Sequence, residues 1–129
     1  MQKGRKKEAS RRERQILEAL YRLGRASAAE IQAAIASPPT YTAVRTHLTN
    51  LEEKGLVRVE TSGQRYIYTP AIPREEMARS VVGDVLNNFF ENRADLLVAM
   101  LLDPKDSKLT KQELDNLSEL IQKAREEGR

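Results

Sequence analysis

The chain has 129 residues, 40% hydrophobic and 32% charged, which suits one ordinary folded domain or two very small ones. No apolar run nears the ~18 residues that span a bilayer, and the basic start MQKGRKKEASRRER has no apolar segment behind it, so neither a membrane span nor a secretory signal is expected. Cysteine is absent, which excludes a disulfide scaffold, a thiol nucleophile and thiolate metal sites, and fits a reducing cytoplasm.

The net charge of +3 is unevenly spread. Residues 1–70 carry 13 Lys/Arg against 7 Asp/Glu, a balance of +6, whereas residues 71–129 carry 9 against 12, a balance of −3. A basic half beside an acidic half suggests that the first faces a polyanion. Taken in order, the chain opens with a basic arm at residues 1–9. Ser10 and Glu13 then have capping-box spacing, and Ile16, Leu17, Leu20 and Leu23 form an apolar stripe that ends near Gly24. Ser27 and Glu30 repeat the capping box and open a short helix with Ile31 and Ile35 inward, stopped by Pro38 and Pro39. Thr40 is the N-cap of a third helix, and Gly55 its C′ residue.

The period then changes. LVRVE and RYIYT are β-branched or aromatic runs separated by TSGQ, which reads as a hairpin. Three helices followed by a hairpin are the order of a winged helix-turn-helix, here over residues 10–70. Pro70 and Pro73 mark a boundary, and helical periodicity resumes at residues 71–129. Met77, Val81, Val82, Val85, Leu86, Phe89 and Phe90 form one apolar face. A second run, Leu96 to Leu102, is almost wholly apolar, and a third, capped by Thr110, aligns Leu114, Leu117, Ile121 and Ala124. Three helices of roughly 55 residues in all leave much apolar surface to bury, either on the N-terminal domain or against a second copy of the chain. The second copy is favoured. The expected fold class is mainly α with a small β-hairpin.

The third helix has an unusual polar face. Val44, Leu48 and Leu51 point one way, while Thr42, Arg45, Thr46 and Thr49 fall at about 100° to 200° from Val44 at 100° per residue. Short hydroxyl side chains and one Arg suit entry into a DNA major groove: threonine offers a hydroxyl and a methyl, and arginine grips guanine O6 and N7. Tyr41 lies on the border of core and groove. Arg65, beside the Ser62-Gly63 tip, is placed for a phosphate, as is the basic arm. His47, the single histidine, lies beside the apolar stripe and is read as a boundary residue. Tyr66 and Tyr68 are read as packing. No carboxylate pair, Gly-rich phosphate loop or His/Cys cluster points to catalysis, a metal or a cofactor. Two rivals stay open: a winged-helix protein–protein module, and a nonspecific architectural DNA binder.

The run YTAVRTHLTNLEEKGLVRVETSGQRYIYTP resembles the penicillinase-repressor family, which includes β-lactamase, methicillin-resistance and copper-responsive repressors of bacteria. The resemblance rests on Val44, Thr46, Leu48, Leu51, Lys54-Gly55-Leu56 and the wing Tyr66 to Pro70. It implies a homodimeric repressor that binds a palindromic double-stranded operator in the cytoplasm and controls antibiotic-resistance or stress genes. DNA contacts carried over by position fall on Arg45, Thr46 and Thr49, then Thr42 and Arg65. Dimer contacts fall among Val82, Leu86, Phe89, Leu97, Met100, Leu101, Leu114, Leu117 and Ile121. The copper-responsive branch ends in a cysteine motif, and this chain has none. In the β-lactam branch a sensor protease is a partner, through cleavage at an Asn-Phe bond. The matching region here reads LLVAMLLDP, and Asn88-Phe89 lies in an earlier helix.

Overall fold

A computed structural model describes residues 9–106 and 108–128. The basic arm read at residues 1–9 therefore lies, apart from Ala9, outside the described residues. In chain order the elements are α1 (Arg11–Leu23), α2 (Ala28–Ala33), α3 (Tyr41–Glu53), β1 (Val57–Ser62), β2 (Arg65–Pro70), α4 (Arg74–Phe89), α5 (Ala94–Leu102) and α6 (Lys111–Glu126). They form two compact units, Met1–Ala78 and Arg79–Arg129, with the boundary inside α4.

In the first unit the helix starts follow from local chemistry. The Ser10 and Ser27 hydroxyls each accept from the backbone N–H three residues on, while Glu13 and Glu30 accept from the Ser10 and Ser27 N–H groups. Each box thus satisfies two donors that a helix start leaves without intrahelical partners. Thr40 caps α3 through its hydroxyl, which accepts from the Ala43 N–H at 3.1 Å. The end of α3 is a Schellman motif: Leu56 N–H donates to the Leu51 carbonyl and Gly55 N–H to that of Glu52, both at 2.9 Å. That motif needs a left-handed residue, and Gly55 has φ +79°.

Two ends differ from the sequence reading. α2 stops at Ala33, before Pro38, and Ile35 is buried outside the helix. The Arg22 guanidinium of α1 donates to the Ala34 carbonyl at 3.1 Å, and the Gln32 amide donates to the Pro39 carbonyl at 2.9 Å. The helix therefore ends ahead of the prolines, and the carbonyl of its C-cap residue Ala34 is met by Arg22 from α1. The hairpin is also tighter than TSGQ suggested, because Thr61 and Ser62 belong to β1 and the register runs from Val57↔Pro70 to Ser62↔Arg65. Only Gly63 and Gln64 form the loop. Gly63 has φ +66° and Gln64 is not in the positive-φ region, as a type II′ turn requires.

The three helices and the hairpin share one core, with Ile16, Leu17, Leu20, Ile31, Val44, Leu48 and Leu51 fully buried. Ala26 adds a short antiparallel bridge to β2, exchanging both backbone hydrogen bonds with Tyr68 at 2.8 and 3.0 Å. That bridge ties the wing to the segment between α1 and α2.

One buried ion pair joins the ends of two helices. Glu13 Oε1 accepts from Lys54 Nζ at 2.6 Å, and Glu13 is almost fully buried. Burial raises the Glu13 pKa, but the Lys54 hydrogen bond, the Ser10 N–H and the charges of Lys54 and His47 outweigh it and hold the carboxyl below its ordinary range. A carboxyl lowered on folding stabilises fully above its unfolded value, about 4.3, and loses that contribution as pH falls through the lower folded value. Urea midpoints measured from pH 7 down to 3 should therefore fall more steeply for the native chain than for Glu13→Gln. Parallel curves would show that the pairing contributes nothing to acid stability.

The second unit contains most of α4 together with α5 and α6. Thr110 caps α6 with a third capping box, closed by Glu113. No described residue of this unit is buried, and Phe89 is 79% exposed. Among the described residues no helix is long and apolar enough to cross a membrane.

Candidate nucleic-acid interface

α3 carries Val44, Leu48 and Leu51 in the core, so its opposite side must face outward. Thr42, Arg45, Thr46 and Thr49 are all exposed there, and no carboxylate occurs in the first three turns. The Thr49 hydroxyl donates to the Arg45 carbonyl at 3.1 Å. Its proton is thus used within the helix, which leaves its lone pairs and its methyl for an incoming base edge.

Not all the expected site residues lie together. Thr42, Thr46 and Thr49 stand along the open face of the helix. Tyr41, Arg45 and Arg65 instead converge on a cleft of about 420 Å³ between α3, the wing and the start of α2, completed by Ser27 to Ala29, Gln64, Tyr66 and Tyr68. The Arg45 guanidinium carbon lies 5.2 Å from the Tyr66 ring centre and 6.0 Å from that of Tyr41. These distances are within the ~6 Å reach of a cation–π contact. Arg65 is 3.9 Å from Glu30, an exposed pair whose hold on the side chain is weak.

Tyr66 and Tyr68, read from sequence as packing, have separate roles. Tyr68 is buried beneath the cleft, where burial pushes its phenol pKa up against the opposing pull of Arg45, so it stays neutral. Tyr66 is 48% exposed and forms one wall. Their i, i+2 spacing on β2 was the available signal, since it places both rings on the face of the strand that carries Val59 and Thr61. His47 is half-buried, and its Nδ1 is buried without a hydrogen-bond partner.

Three helices, a hairpin wing, and an outward helix face of hydroxyls and arginine define a winged helix-turn-helix protein built to meet nucleic acid. A family model described as Penicillinase repressor matches residues 9–123. The chain belongs to the penicillinase-repressor family, and is thereby a DNA-binding transcriptional regulator of the repressor type, not an enzyme. A comparison with curated proteins finds no match. Among solved structures it is similar to Bordetella bronchiseptica BpsR, whose DNA binding is regulated by 6-hydroxynicotinic acid. The two share 18% identity over 89% of this chain and 74% of that one, with a TM-score of 0.48.

Proposed function

We propose that this protein is a sequence-specific repressor that acts in the cytoplasm as a homodimer on a palindromic operator. The observation that carries the base-reading part is the outward face of α3. It is exposed, short-sided and free of carboxylate over three turns, with Arg45 on its wing-side edge. Such a face approaches a major groove without repelling phosphate, and Thr42, Thr46, Thr49 and Arg45 are its base-edge candidates. Arg65 and Tyr41 border it toward the wing. In this reading the domains are the winged-helix region at residues 10–70 and a dimerisation region at residues 71–129.

The dimer is supported by the second unit. Val82, Phe89, Met100, Leu101, Leu114 and Ile121 are exposed in the single chain, and Leu86, Leu97 and Leu117 are only partly covered. Apolar surface of that extent on helices with no buried residue calls for a partner, and a second copy is the partner always at hand. A two-fold dimer sets its half-sites one or more helical turns apart, each ~10 bp.

The test is fluorescence anisotropy against the DNA upstream of the protein's own gene and a scrambled duplex, across a salt series. A preference of ~10³-fold or more for one duplex supports the reading. Equal binding that falls steeply and alike with salt marks a nonspecific binder. Absence of binding even at low salt favours the protein–protein module. Arg45→Ala is expected to weaken binding to the preferred duplex by roughly 1–3 kcal/mol and to relax one base preference. Equal losses on both duplexes would remove Arg45 from base reading.

A further inference from the structure

We infer that Tyr66 of the wing is a positioning residue for Arg45, so that the hairpin contributes to base selectivity through the recognition helix as well as by its own contacts with DNA. The inference rests on the base-reading role proposed for Arg45.

Arginine is a long, flexible side chain, and an unconstrained one loses rotamer freedom when it docks on a base. Here Arg45 is already constrained. Tyr41, one turn earlier on the same helix, and Tyr66, across the cleft on β2, present their rings at 6.0 and 5.2 Å from the guanidinium carbon. Tyr66 and Tyr41 are themselves only about half exposed, at 48% and 46%, so each ring is partly held by its surroundings. The backbone beneath Tyr66 is fixed too. Tyr66 pairs with Thr61 in the β-ladder, and two residues on, Tyr68 is tied to Ala26 by two backbone hydrogen bonds.

The chemistry of the cage matters as much as its rigidity. No carboxylate lines the cleft. A carboxylate partner would take up the guanidinium N–H fork that bidentate recognition of guanine needs. A ring attracts the cation through its π face, orienting the group without demanding that fork. The Tyr66 ring can therefore aim Arg45 without taking its N–H groups, which in the free chain also meet the Tyr41 and Tyr68 hydroxyls, neutral partners that a guanine edge can replace. The Tyr66 ring face supplies this, and its hydroxyl is not required.

The test starts with duplexes selected from a random pool by the full-length protein. Anisotropy titrations then compare the native chain, Tyr66→Phe, Tyr66→Leu, Arg45→Ala and the Tyr66→Leu/Arg45→Ala double variant on the selected duplex and a scrambled one. Tyr66→Leu is expected to weaken binding to the selected duplex by roughly threefold to tenfold and to leave the scrambled duplex unchanged. Tyr66→Phe should remain within about twofold of the native chain, since the ring face is kept. The double variant should bind no more weakly than Arg45→Ala alone, because the two residues act as one. Additive losses, or a Tyr66→Leu loss equal on both duplexes, would overturn the inference while Arg45 keeps its base-reading role. Selection of no duplex by the native chain would overturn the repressor reading itself, and this inference with it. Far-UV circular dichroism checks that each variant is folded, and failure of Tyr66→Phe to retain binding in a folded chain would also overturn the role assigned to the ring.

Discussion

In the proposed homodimer, replacing Phe89 with glutamate is expected to separate the two chains and to reduce operator affinity by about 10²- to 10⁴-fold. The affinity loss follows from geometry. In a dimer the second half-site is reached by a reading head already tethered nearby, so its binding is governed by effective concentration rather than by free concentration. Phe89 closes α4 with its ring 79% exposed in the single chain, which makes it the most exposed large apolar side chain among the described residues. Burying a glutamate there without a partner is unfavourable enough to oppose association. Sedimentation velocity should show one monomeric species at micromolar concentration. The tyrosine signal should be unchanged, because all four tyrosines lie before residue 79 and both phenylalanines after it. A dimer that survives the substitution would remove Phe89 from the interface, and one that splits without loss of operator affinity would refute bivalent binding.

Leu48→Ala is expected to lower the stability of the first unit by about 2–5 kcal/mol. Leu48 sits in the middle of α3, wholly buried, with Val44 one turn before it and Leu51 one turn after. α3 packs on α1, α2 and β1, so several elements would have to collapse inward to fill the space left by the lost methyl groups. A domain this small has only about 5–15 kcal/mol of net stability, so the loss is a large share of it. Urea unfolding followed by tyrosine fluorescence isolates this unit, since the chain has no tryptophan and no tyrosine beyond Tyr68. DNA binding should weaken in parallel near the unfolding midpoint and recover under milder conditions. A loss below about 1 kcal/mol would mean that the core relaxes around the smaller side chain.

The two substitutions act at different levels of organisation. Leu48 holds α3 to its own domain, whereas Phe89 is assigned to the proposed association of two chains. Measured together with Arg45→Ala, they separate folding, assembly and base recognition as causes of lost binding. Only Arg45→Ala should change which base is preferred while leaving both tyrosine signal and sedimentation intact.

Much of this was legible in the chain itself, because it depends on residues a few positions apart. Ser10 with Glu13, Ser27 with Glu30 and Thr110 with Glu113 set three helix starts through bonds spanning three residues. Gly55 ended α3 because the left-handed step of a Schellman motif penalises a Cβ. β-Branched and aromatic runs on either side of TSGQ marked the hairpin, and the periodic stripe of Val44, Leu48 and Leu51 fixed which side of α3 faces out. Tertiary structure decided what depends on residues far apart in the chain. Arg22 of α1 meets the Ala34 carbonyl at the end of α2 across 12 positions. Lys54 met Glu13 across 41 positions. Above all, Arg45 stands beside Tyr66 because the hairpin folds back against the helix, which no local spacing specifies. Hydrogen bonds and side-chain stripes within a turn or two are encoded by spacing. The aim of a long arginine is set by whichever ring the fold carries to it.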